Sequence, residues 1–145
     1  MRIARVCRAK YPDLDGVGAA KSGGRWNSPS THIVYASSCT ALAVLEYRVN
    51  VKSDPRDLRI LTIELLDGLQ VEEAAWMPDL RTAQRFGDAW IESRRTVIIA
   101  VPSVVVPRQI NYLLNPRHPD FQPSVRLVEN QPYVLDVRLF DITPS

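Results

Sequence analysis

The sequence predicts an α+β domain built on a bent, mainly antiparallel sheet with helices. Three observations carry that class. Stretches of strand and helix character follow one another as strand, helix, strands, helix, strands. The strict strand–helix alternation that marks a parallel sheet is missing. No Gly-x-Gly-x-x-Gly follows a strand and opens a helix, which sets aside a Rossmann domain. The chain has 145 residues, 46% of them hydrophobic and 23% charged, enough for one ordinary core. Residues 1–145 are therefore read as a single domain.

Residues 2–9, with Ile3 and Val6, form an opening strand. Residues 12–29 are rich in Gly, Ser, Asp and Pro and read as one long loop, a length that is uncommon and often functional. Residues 31–36 are β-branched and aromatic, hence a strand. Ser37 or Ser38 can cap a helix over about 39–50, whose first turns are apolar nearly all round and so predict burial. Asp54-Pro55 breaks the pattern. Residues 58–66 are a strand, Asp67-Gly68 a turn, and 69–73 a short return strand. Pro78 suits the first turn of a helix reaching Arg94, with Leu80, Ala83, Gly87, Trp90 and Ile91 on its buried face. A strand at 96–101 ends at Pro102-Ser103. One helical turn is expected within 108–114, a loop at 115–119, and two closing strands at 125–129 and 133–140.

Bulk properties exclude several classes. The net charge of +2 gives no strong field for nucleic acid, so no direct nucleic-acid partner is expected. No apolar run of about eighteen residues exists to span a membrane, and the N-terminus lacks a signal peptide's apolar stretch. Cys7 and Cys39 have no metal-type spacing; both are expected as buried, reduced thiols of a cytoplasmic protein. No metal site is predicted, and neither His32 nor His118 has a catalytic partner nearby in sequence.

Four residues could carry chemistry. Glu46 follows Leu42 by four and precedes Val49 by three, so on a helix it points with an apolar stripe. A carboxylate there needs a partner or a use: a buried ion pair with an arginine, or a place lining a cleft. Arg25 lies in Gly23-Gly24-Arg25-Trp26-Asn27. It could simply pack on Trp26, or, with free backbone N–H groups of the loop around Gly24, it could bind phosphate. Tyr35 is either sheet packing or a flat platform for a ring. Ser103 is a turn residue or a ligand contact.

Gly23-Gly24-Arg25-Trp26-Asn27-Ser28-Pro29, then Val34-Tyr35-Ala36-Ser37, then Ala41-Leu42-Ala43-Val44-Leu45-Glu46 together resemble the RES-domain proteins. Gly87-Asp88-Ala89-Trp90, the stretch from Val101-Pro102-Ser103 to Pro107, and Asn111-Tyr112-Leu113-Leu114-Asn115-Pro116 resemble the same family in the same order, as does Phe140-Asp141 more loosely. Ser30-Thr31 and Val44 depart from the family pattern.

The resemblance implies an ADP-ribosyltransferase-like fold and a toxin of a bacterial type II toxin–antitoxin pair. The implied activity is cleavage of NAD⁺ as glycohydrolase or phosphorylase, with ADP-ribosylation of a protein as the alternative. NAD⁺ is then the substrate and no cofactor is needed. The implied partner is a helix-turn-helix antitoxin that occludes the site; a homodimer is left open. The match puts the family Arg on Arg25, the Glu on Glu46, the aromatic on Tyr35 and the Ser on Ser103. Gly24, Trp26 and Asn115 are expected to contact the substrate. Two other readings compete: a non-catalytic module that only binds its antitoxin, and a ribonuclease, which the charge and the residue set disfavour.

Overall fold

The computed structural model describes residues 1–51 and 56–140. Asp54-Pro55 and Asp141 lie outside the described residues. In chain order the elements are β1 (Arg2–Arg8), α1 (Val17–Ser22), β2 (Val34–Ser37), α2 (Thr40–Val49), β3 (Leu58–Leu65), β4 (Val71–Glu73), α3 (Leu80–Ser93), β5 (Ile98–Pro102), β6 (Ile110–Leu114), α4 (Phe121–Ser124) and β7 (Val125–Tyr133). A single helical turn, Val137–Leu139, follows.

The strands form one sheet in the order β4-β5-β6-β2-β1-β3-β7. Every pairing is antiparallel except β4 with β5. β1 sits near the centre because it is apolar on both faces: Ile3, Ala4, Val6 and Cys7 are all buried. It pairs with β3 from Arg2↔Glu64 to Arg8↔Leu58, but with β2 only at Ala4↔Ser37. Two ladders, β4-β5-β6-β2 and β1-β3-β7, thus meet at a narrow seam.

Side chains alternate across a sheet, so each face has its own core. On one face Ile3, Val34, Ala36, Ile63, Ile98 and Leu114 pack together, with Phe121 of α4. The other face carries two cores. α2 lays Ala43 on Ala4, Val6 and Leu58. α3 lays Ala83, Trp90 and Ile91 on Ile99, Val101 and Leu113, together with Trp26 and Ile33. Between these two helices the same face of β2 and β6 carries Tyr35 and Ser37 beside their partners Leu113 and Asn111, with Ser37 and Leu113 buried.

Several elements differ from expectation, for identifiable reasons. The 12–29 loop contains the short helix α1. The caps of α2 are not Ser37 or Ser38: Ser37 belongs to the sheet, and the N-cap is Cys39 with no side-chain bond. α2 is not buried all round; Leu42 and Ala43 face the sheet while Leu45 and Val49 are exposed. β4 is no hairpin partner of β3 but a parallel partner of β5, reached through α3. Pro78 precedes α3, and Asp79 caps it by accepting from Thr82 N at 2.9 Å. Leu80, at the first position, faces solvent.

Residues 110–114 are a strand and not a helical turn, held by β2 on one side and β5 on the other. β7 runs straight through Asn130-Gln131-Pro132; Pro132 is tolerated because β7 is an edge strand and needs no second ladder bond. Of the thiols, Cys7 is buried and Cys39 exposed, and both are free. Among the described residues, no helix is long and apolar enough to cross a membrane.

Candidate active site

Glu46 reaches from α2 to Ser103 and Asn111 on the sheet face between the helices. Its neighbours one turn back, Leu42 and Ala43, are the buried ones, so the helix itself aims the carboxylate at the sheet. There Oε1 accepts from Ser103 Oγ at 2.7 Å and from Asn111 Nδ2 at 2.8 Å. Ser103, just past β5, is buried, and its Oγ also accepts from Val106 N at 3.1 Å. Ser37 Oγ donates to Asn111 Oδ1 at 2.7 Å. The turn after β5 and β6 thus each supply one donor to the half-buried carboxylate on α2, and β2 supplies the hydroxyl that orients the second of them. Among the described residues, Glu46 has no ion pair. The arginine partner weighed from sequence is replaced by neutral donors.

The Gly-rich loop is fastened beside this cluster. Tyr35 Oη donates to Asn27 Oδ1 at 2.5 Å and accepts from Trp26 N at 3.0 Å. Burial holds this phenol above its ordinary ionisation range, so it remains a donor. Gly24 lies on the Tyr35 ring: a Cβ there would sit 2.8 Å from the phenol oxygen. From the other side α3 grips the loop. Gln84 Nε2 donates to Gly24 O at 2.9 Å, and Ser28 N donates to Asp88 Oδ1 at 2.9 Å. At Gly87 the Trp26 carbonyl lies where a Cβ would go. Trp26 is buried, its ring edge-on to Phe86 at 5.9 Å.

The loop is not a cradle of free N–H groups. Gly23 N and Gly24 N donate to Ala19 O and Asn27 O, and Trp26 N and Ser28 N are spent as above. Anion binding therefore falls to the guanidinium. Arg25 lies 4.3 Å over the Trp76 ring and donates to the Met77 carbonyl. Its Nε is buried with no partner, and among the described residues no carboxylate pairs with it. A half-buried cation without a counter-ion is poised for an anionic ligand.

Arg5, on β1, was not read as special from sequence. It donates to the Tyr35 carbonyl at 2.9 Å, its Nε is also buried without a partner, and burial lowers its pKa. Arg2 and Arg8 end the strand, whereas Arg5 stands between the apolar Ala4 and Val6, and that placement is the signal that marks it.

The predicted residues fall into two groups. Glu46 and Ser103 are in direct contact, Tyr35 lies on the same sheet face, and Arg25 is on the loop that Tyr35 anchors. Gly24 and Trp26 build that loop, but the Trp26 ring belongs to the core. Asn115 is where expectation and structure part. It is completely buried; Nδ2 donates to Ile91 O and Oδ1 accepts from Arg117 N, so its amide is used in ending α3 and turning the chain. The expected helical turn within 108–114 hides the alternation that puts Asn111 on the Glu46 face, and the expected cap role of Ser37 hides its place in β2 opposite Asn111.

Two open clefts, of about 410 and 400 Å³, lie elsewhere, one by the Asp67-Gly68 turn and one by His32 and Arg117. Neither is lined by Arg25, Tyr35, Glu46, Ser103 or Asn111. The candidate groups are buried or half-buried on the sheet face that carries α2 and α3. Among the described residues, no three His, Cys, Asp or Glu side chains gather as metal ligands.

The architecture has a counterpart among solved structures. It superposes on the crystal structure of the M. tuberculosis MbcT–MbcA toxin–antitoxin complex with a TM-score of 0.71 at 16% identity, over 92% of this chain and 84% of that one. The RES domain model matches residues 2–136. The chain belongs to the RES-domain family. It is 40% identical over 133 residues to the Prs ADP-ribosylating toxin of Sphingobium sp. (strain YBL2), covering 82% of this chain and 83% of that protein. It is 33% identical over 139 residues to Toxin Res of Pseudomonas putida KT2440, covering 90% and 94%.

Proposed function

We propose that this RES-domain protein is the toxin of a toxin–antitoxin pair and that it cleaves NAD⁺ at the nicotinamide–ribose bond. The observation that carries the reading is Glu46: a carboxylate oriented by Ser103 and Asn111, with no cation to neutralise it. Breaking a glycosidic C–N bond builds positive charge on the ribose, and a fixed carboxylate stabilises that charge. Nicotinamide leaves with the bonding electron pair; water or phosphate adds to the ribose carbon and gives up its proton. Arg25 binds the pyrophosphate, and the Tyr35 ring supports the nicotinamide end. NAD⁺ is substrate, so no further cofactor is required, and the cytoplasm is the compartment that supplies it. An antitoxin covers this site until released.

The name of the Sphingobium relative supports a second outcome of the same bond cleavage, transfer of ADP-ribose to a protein. Purified protein incubated with NAD⁺, with and without phosphate or a bacterial extract, should release nicotinamide, and the partner product identifies the acceptor. Glu46→Gln should lower release by about 100-fold or more while the melting curve stays unchanged. If release is absent under every condition while Glu46→Gln still arrests growth, the chain is a binding module and not an enzyme; full release by Glu46→Gln would instead overturn the role given to Glu46.

A further inference from the structure

Chemistry alone fixes the direction of the hydrogen bonds around Glu46. An ionised carboxylate only accepts. The Asn111 atom facing it is therefore the NH₂, and the Asn111 oxygen must face a donor, which is the Ser37 hydroxyl at 2.7 Å. Ser103 Oγ accepts from Val106 N and so turns its own proton to Glu46. Both donors converge on Oε1, while Oε2 has no partner among the described residues.

We propose that Asn111, locked by Ser37, is a positioning residue. It holds Glu46 in one rotamer, with Oε1 taken by two donors and Oε2 left for the ligand. The proposal rests on Glu46 being the reacting carboxylate. Ser37 acts only through Asn111, because its hydroxyl reaches the amide and not the carboxylate. The two residues face each other across the β2–β6 ladder, Ser37↔Asn111, so the sheet register sets the geometry. A side chain held this way restrains Glu46 more firmly than contacts along its own helix would.

The test is steady-state nicotinamide release from NAD⁺ by folded variants. Asn111→Ala should lower kcat by about 100-fold with KM for NAD⁺ unchanged. Asn111→Leu, close in size but without a donor, should do the same and guards against a cavity effect. Ser37→Ala should cost about fivefold, the value of one neutral hydrogen bond, and Ser37→Thr should recover most of it. The double variant Ser37→Ala with Asn111→Ala should be no worse than Asn111→Ala alone. Losses that multiply, or a raised KM with intact kcat, overturn the proposal. A readout that needs no turnover separates it from the NAD⁺ reading: crystal structures of the wild type and of Asn111→Ala. Glu46 should rotate or become disordered in the variant; the same Glu46 rotamer in both overturns the positioning role. Absence of nicotinamide release by the wild type would defeat the NAD⁺ reading and leave this structural comparison to decide.

Discussion

Tyr35 joins a strand to a loop through one oxygen. Its phenol satisfies a carbonyl-type acceptor on Asn27 and the Trp26 amide at once. Tyr35→Phe strands both partners in a largely dry place, and a loss of about 1–3 kcal/mol is expected, read from urea unfolding. The ionisation of this group adds a second test. Burial raises its folded pKa above the unfolded value of about 10. The stability it contributes is complete below about pH 10 and is lost as pH rises through the folded value. Of the five tyrosines, Tyr35 and Tyr47 are raised by burial, while the hydrogen bond from Lys21 lowers Tyr11. An ultraviolet titration should show early and late phenolate steps, and Tyr35→Phe should remove a late one. Glu46 was legible from helix spacing alone, because four residues after Leu42 can only be one face. Asn111 was not, because its importance comes from a strand partner 74 residues away.

The element that holds the loop is α3, and it does so by having no side chain at Gly87. Gly87→Ala would drive a methyl into the Trp26 carbonyl. Backbone cannot yield there without moving the loop, so a cost of about 3 kcal/mol is expected, with loss of nicotinamide release. Gly18, in α1, is the internal control: nothing lies within 4 Å of an added Cβ. Gly18→Ala should stabilise by about 0.5–1 kcal/mol and leave the loop in place. Thermal melts of the two variants should therefore move in opposite directions. The sequence marked Gly87 as buried on α3 but could not say what it touches. It likewise placed α2 and α3 within a few residues, since periodicity is local, although neither N-cap was the residue read from sequence. It misplaced β4, β6 and the end of β7, since what those residues become is decided by neighbours far along the chain.

At the scale of the whole molecule, two helices stand on one face of a divided sheet, and the seam between them carries the site. Arg25 and Trp76 stack as one rim of the Gly-rich loop that Tyr35 anchors. Trp76 is the exposed tryptophan, with Trp26 and Trp90 buried. NAD⁺ or pyrophosphate binding at Arg25 should therefore change the fluorescence of Trp76. Trp76→Phe should abolish the change. Salt at about 0.5 M should weaken the binding, since exposed charge is screened within several ångströms at that strength. An unchanged spectrum at saturating NAD⁺ would place the ligand away from this rim. The ordered motifs were enough to give the family and the fold, because each marks a point where the chain must turn or touch. They did not give the seam, which exists only once both ladders have formed.

That division of the sheet bears on how the protein is made. Glu46 leaves the ribosome early, whereas Ser103 and Asn111 follow 57 and 65 residues later. Contacts of such separation form late in folding. A nascent chain, or one truncated before β6, carries the carboxylate without the groups that orient it. The cell that translates this protein is thus exposed to a finished site only near the end of each round of synthesis, an interval in which a regulator already at hand can meet it.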